Sequence, residues 1–134
     1  MSKWSNVKRG WLTVNGQRIY FDSRGEINYF LYLDWLKKRG EIKDFVYHPP
    51  YFDFSKWVKH GLTRYEVDFK IIELDGREWY VEIKSTTRLD KMDGNSRTKI
   101  KRLRKYYDHI QLHVVSTYDV QKLNLCGIIS DWEW

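Results

Sequence analysis

Asp68, Glu82 and Lys84 are the residues of this chain whose types and spacing best suit chemistry. They fall in residues 65–85, two strand-like stretches separated by Asp75-Gly76. Side chains alternate along a strand, so Glu82 and Lys84 are expected on one side of theirs. A hairpin across Asp-Gly lays the Asp68 stretch alongside. Two carboxylates and an ammonium then converge on one small volume. Such a set holds a divalent cation through oxygen atoms and seats a water next to it. The same residue types also make ordinary cross-strand ion pairs, so the pattern alone leaves both readings open. The flanks favour chemistry. Glu82 lies between Val81 and Ile83, just after Trp79 and Tyr80, and Asp68 lies between Val67 and Phe69. Both carboxylates are therefore expected to be half buried, where an unpaired charge is costly.

The elements that must position these groups are legible in outline. Residues 11–21, with Asn15-Gly16 at their centre, predict a β-hairpin with a tight type I′ turn. Residues 23–39 predict a helix ending at Gly40, with Ile27, Phe30, Leu31, Leu33 and Leu36 on one apolar stripe. Residues 42–47 predict a strand halted by Pro49-Pro50. Residues 51–62 read as an aromatic-rich excursion. Strands are expected over 65–73 and 78–85, then a turn-rich loop over 86–96. Residues 97–108 predict an amphipathic helix with Ile100, Leu103 and Tyr107 facing inward, and residues 110–115 a last strand. The order helix, three strands, helix, strand describes an α/β fold with a central mixed sheet flanked by helices. The chain reads as one domain: a hairpin at 10–21, a core at 23–116 and an extension at 117–134.

Val67-Asp68, a turn, then Glu82-Ile83-Lys84 resembles the core motif of the PD-(D/E)xK nuclease superfamily. The spacing and flanks are most similar to phage-encoded, Holliday-junction-resolvase-like endonucleases, over roughly residues 16–116. Val67 stands where that family usually has proline. Residues 21–26 resemble the family's first-helix segment, which bears an acidic residue, here Glu26. The resemblance implies an αβββαβ restriction-endonuclease-like core and Mg²⁺- or Mn²⁺-dependent hydrolysis of DNA phosphodiesters. It implies Asp68, Glu82, the Ile83 carbonyl and Glu26 around the metal, with Lys84 beside them. It further implies a homodimer acting on branched DNA, in the host cell cytoplasm if the chain is phage-encoded. Alternatives are a repair or restriction-type nuclease of other DNA specificity, or a non-catalytic nucleic-acid-binding module. The intact Asp68, Glu82 and Lys84 argue against a decayed site. Glu26 also has a purely local reading, since Ser23-x-x-Glu26 is a capping box.

Charge points the same way. The 134 residues carry a net charge of +6, which favours a polyanionic partner. Between Lys84 and Lys105 there are nine Lys or Arg against two Asp. Beside a metal site, Arg88, Arg97, Lys99, Lys101, Arg104 and Lys105 are expected to contact phosphates; a solvated helix face is the plainer account. The basic N-terminal segment around Lys3, Lys8 and Arg9 is a second candidate surface. The single cysteine, Cys126, excludes a disulfide framework and is expected buried in its apolar run. No stretch nears the roughly 18 apolar residues of a membrane span, and no apolar segment follows Lys3, Lys8 and Arg9 as a signal peptide requires. A soluble intracellular protein is expected. His109 and His113 fall on a predicted strand, so their spacing does not make a helical zinc pair. His48 and His60 read as loop residues. Neither a phosphate-binding glycine loop nor a Gly-x-Ser-x-Gly elbow occurs. The aromatic tail and the first hairpin are the segments suspected of forming a dimer interface.

Overall fold

The computed structural model describes residues 10–134, so Lys3, Lys8 and Arg9 lie outside the described residues. Strands β1 (Gly10–Val14) and β2 (Gln17–Phe21) pair antiparallel. Asn15 and Gly16 both adopt positive φ between them, as a type I′ turn demands. Helix α1 (Arg24–Lys38) starts at Ser23, whose hydroxyl accepts from the Glu26 amide at 3.1 Å. It ends before Gly40, which takes the left-handed conformation at φ +73°.

The central sheet has four strands in the order β3 (Asp44–Tyr47), β6 (Phe69–Ile72), β7 (Glu78–Lys84) and β8 (Leu112–Ser116). The first three are antiparallel to their neighbours, while β7 and β8 run parallel through the crossover helix α2 (Gly94–Tyr106). A separate short ladder joins β4 (Phe52–Asp53) to β5 (Arg64–Tyr65). A short helix α3 (Thr117–Lys122) follows β8. The fold is thus the expected mixed α/β arrangement with an N-terminal hairpin.

The sheet separates two cores. Phe69, Ile71, Val81 and Ile83 pack with Ile27, Phe30 and Leu33 of α1. On the other face Ile100 and Leu103 of α2 pack against Tyr65, Val67 and Leu112. Strand β7 divides its residues between the two cores at period 2, as a strand buried on both sides must.

Several boundaries differ from those expected. The stretch expected as one strand over 65–73 is broken: Tyr65 ends β5, and Asp68 sits in the bend just before β6. The reason is that Tyr65 and Val67 belong to the α2-side core while Phe69 belongs to the α1-side core. Helix α2 starts at Gly94, three residues early, because Asp93 caps it through the Ser96 amide at 3.0 Å. Tyr107 caps the end of α2, half buried, with its hydroxyl donating to the Asp53 carbonyl. Cys126 is exposed, against expectation. Its apolar run follows α3 in turns and sends Ile129 inward while Leu125 and Ile128 face solvent.

The extension beyond β8 is bound to the domain. The Asn28 side chain donates to the Glu133 carbonyl at 2.6 Å and accepts from the Glu133 amide at 2.8 Å. Asn124 makes the same two-way bond with the backbone of Ile129. Trp132 is buried against the α1 core, its indole N–H on Gln121.

Gly25 lets the start of α1 approach the sheet. A Cβ there would lie 2.9 Å from Ile83 Cγ2 and 3.0 Å from Thr117 Cγ2. Gly25→Ala is expected to lower stability by about 1–2 kcal/mol, because overpacking outweighs the roughly 1 kcal/mol that alanine gains in a helix. Urea unfolding measures the balance, and an unchanged or higher midpoint would show that α1 does not depend on this contact.

Candidate functional site

The amino end of α1, the bend before β6 and the carboxyl end of β7 meet at one end of the sheet's central strands. Asp68 and Glu82 are each tied by their carboxylates to the backbone of the neighbouring segment there. The Ile83 amide donates to Asp68 Oδ2 at 2.7 Å, and the Asp68 amide donates to Glu82 Oε1 at 3.2 Å. Glu82 is buried. Lys84 follows two residues later on the same face, with its ammonium 3.6 Å from Glu82 Oε2. Three of the sequence-predicted residues therefore converge as expected, although Asp68 arrives from a bend and not from within a strand.

Burial and like charge set the electrostatics. Burial pushes the Asp68 carboxyl well above its ordinary 3.8, and the nearby Glu82 and Glu26 carboxylates push it further. Burial raises Glu82 as well, against the opposing pull of Lys84. The Tyr65 hydroxyl lies near Glu82. Burial and then the Glu82 charge raise its pKa. Two crowded acids balanced by one nearby lysine make a site short of positive charge. A divalent cation bound through carboxylate oxygens would supply it.

Glu26 serves as more than a helix cap. Its Oε2 accepts from the Ser23 hydroxyl at 3.0 Å, and its Oε1 accepts from the Tyr47 hydroxyl at 2.9 Å. His48 Nε2 lies 3.3 Å from the same Oε1, while its Nδ1 lies 3.2 Å from Glu66. Burial alone would raise the Glu26 pKa, but the bonds from His48, Tyr47 and Ser23 outweigh it and hold the carboxyl low. His48 moves up, chiefly through its bond to Glu26. Ligand atoms of Asp22, Glu26 and His48 lie within 4.8 Å of one another, a possible metal-binding trio among the described residues. The His48 amide also donates to the Asp68 carbonyl at 2.8 Å, which joins this trio to the Asp68–Glu82 pair.

His48, Tyr47 and Asp22 were not expected here. The signal for His48 was its place at the end of a strand neighbouring the Asp68 segment. The prolines that follow it suggested a plain loop instead. Asp22 directly precedes the Ser23 cap, so it was bound to lie beside Glu26.

The basic residues divide by what already occupies them. Arg88 pairs with Asp90 at 2.9 Å, and Arg104 donates to the Leu112 carbonyl at 3.3 Å. Arg97 and Lys99 are half buried, whereas Lys101 and Lys105 are exposed one turn apart on α2. The start of α2 lies close to the site. Asp93 is held low first by its bonds to Ser96, and the charge of Lys84 adds to the effect. His109 and His113 are exposed, away from this end, and His113 sits in β8 as the alternation predicts.

Fold and site together define a small mixed α/β domain with a buried carboxylate pair, a lysine and an adjoining acidic–histidine trio at one end of the sheet's central strands. The chain belongs to the family described as Protein of unknown function (DUF1064), whose pattern matches residues 1–124. Comparison with curated proteins gives no match. Among the described residues, no helix is long and apolar enough to cross a membrane.

The raised Asp68 pKa yields a test. Its protonated form suits the fold, so its share of stability is complete below 3.8 and is lost as pH rises through the higher folded value. Asparagine mimics that protonated form and still accepts from the Ile83 amide. In chelator, Asp68→Asn should stabilise the protein at pH 7 by about 1–2 kcal/mol, the usual scale of relief at a strained functional site. The gain should shrink towards pH 4. Calorimetric melting at both pH values measures it, and a destabilised variant at pH 7 would contradict the crowding of charge.

Proposed function

We propose that the protein is a metal-dependent endonuclease of the PD-(D/E)xK type that hydrolyses DNA phosphodiester bonds, with branched DNA as its substrate. The observation that carries this reading is the convergence of Asp68, Glu82 and Lys84, with Asp68 crowded by two other carboxylates. Asp68, Glu82 and the Ile83 carbonyl would hold Mg²⁺ or Mn²⁺, with Glu26 as a further oxygen donor. When bound, the ion supplies Lewis acidity toward a phosphate oxygen and a water of lowered pKa.

The protein's own groups do the rest. The two backbone bonds fix the carboxylates before substrate arrives, so no reorganisation is needed during the reaction. Lys84, 3.6 Å from Glu82, orients the attacking water and offsets the charge that develops on the phosphate. An ammonium so paired is a poor general base. Tyr47 and His48 hold the Glu26 carboxylate in place and ionised. Lys101 and Lys105 supply phosphate contacts, which give affinity without sequence readout. A two-fold dimer, suited to a four-way junction, belongs to the same proposal.

A second reading places the cation on Asp22, Glu26 and His48, because those ligand atoms already cluster. Glu26 is common to both sets. Metal titration calorimetry on Asp68→Asn and His48→Ala separates them: the variant that loses binding marks the site.

Glu82→Gln keeps shape and removes charge, so cleavage of a four-way junction in Mg²⁺ should fall about a hundredfold or more. Glu26→Gln retains a capping side chain, so a loss of rate at unchanged melting temperature assigns Glu26 to the metal. Wild-type rates in Glu82→Gln, or equal product with chelator, would sink the assignment.

The basic face of α2 is tested by salt. Lys101→Ala with Lys105→Ala should flatten the dependence of log affinity on log salt by about 1.8, at roughly 0.9 per duplex phosphate contact. All DNA shapes should weaken alike. An unaltered slope would leave α2 as a merely solvated face.

A further inference from the structure

A cavity of about 660 Å³ opens beside the carboxylate site, between the end of β7, the first turn of α1, α3 and the tail. Its wall includes Lys84 at the end of β7, Ser85 just after it, Tyr118 on α3 and Trp134 in the tail. Both aromatic rings are far more exposed than such residues ordinarily are, 70% for Tyr118 and 60% for Trp134. Neither is loosely placed. The Trp134 carbonyl accepts from Arg24 Nη1, and the preceding Glu133 is clasped by Asn28. The Lys122 ammonium lies 4.3 Å from the Tyr118 ring centre, which makes that ring a cation–π partner. The wall thus combines a cation, hydroxyls and two largely exposed rings, one of which carries Lys122 over a face.

We propose that this cavity binds one unpaired nucleotide adjoining the phosphate at the carboxylate site, its base against Tyr118 or Trp134 and its phosphate toward Lys84 and Ser85. The inference deepens the nuclease reading, and it rests on that reading for the position of the neighbouring phosphate. The volume lies within the roughly 300–1,000 Å³ that ordinarily takes a small molecule. In an intact duplex each base is covered by its neighbours, so exposed rings gain nothing from it. An unpaired base has a free face, and stacking on an aromatic side chain is sequence-tolerant. Lys84 lines both the cavity and the carboxylate site, so the two adjoin. The substrate class that follows is DNA with unpaired nucleotides next to the cleaved bond: a flap, a gap or an opened branch point.

Binding is read in chelator, by fluorescence anisotropy of a labelled oligothymidylate and of a blunt duplex, so that cleavage plays no part. Tyr118→Ala with Trp134→Ala removes both rings but keeps the Trp134 carbonyl that Arg24 uses. Affinity for the oligothymidylate should fall about tenfold or more, while duplex affinity and melting temperature hold. Tyr118→Phe should bind like wild type, since a ring face is all that is required. An oligothymidylate that does not bind wild type, or that binds the double variant equally well, overturns the inference. So does a loss shared equally with the duplex. Should the rings prove necessary for single-strand binding while no DNA is cut in Mg²⁺ or Mn²⁺, the cavity assignment stands and the nuclease reading fails.

Discussion

Strand β7 is buried on both faces, and that constraint governs the molecule. Val81 and Ile83 must satisfy the core under α1, while Tyr80 faces the core under α2. Glu82 therefore points to the α2 side, buried between apolar layers where a carboxylate does not ordinarily sit. Its tolerance there comes from neighbours: the Asp68 amide, the Lys84 ammonium and the nearby Tyr65 hydroxyl. Each of those neighbours is placed by the same sheet. A polar group held this way is expensive to keep unless it does something, which is why the site stands out physically.

Two acidic sets share that end of the sheet but differ in how their charge is settled. Glu26 is surrounded by donors and stays ionised. Asp68 is surrounded by other acids and takes up a proton more readily. The His48 backbone links the two through the Asp68 carbonyl. Pairs of carboxylates driven apart in pKa by their surroundings are a recurring mark of sites that handle protons or cations.

Much of this arrangement was legible in the sequence. Period-2 patterning put Glu82 and Lys84 on one face, the Asn15-Gly16 turn specified the hairpin, and Ser23-x-x-Glu26 marked the start of α1. The break between β5 and β6 was not legible, because Tyr65, Val67 and Phe69 alternate like a single strand and only the two separate cores reveal the bend. His48 was hidden because its partners lie 18 and 22 residues away in sequence. The tail misled for a related reason: the apolar run around Cys126 states that something is buried without stating which residue. Tertiary packing buried Ile129 and Trp132 and left the thiol outside.

The Asn28 clasp on Glu133 spans 105 residues of chain. Closing so long a loop costs entropy that local contacts do not repay, so contacts of this kind tend to form late in folding. The Asp68–Glu82 pair, by contrast, is brought together by the single β6–β7 hairpin. The Asp68–Glu82 contact, 14 residues apart in sequence, is therefore expected to form before the wall that Trp134 contributes.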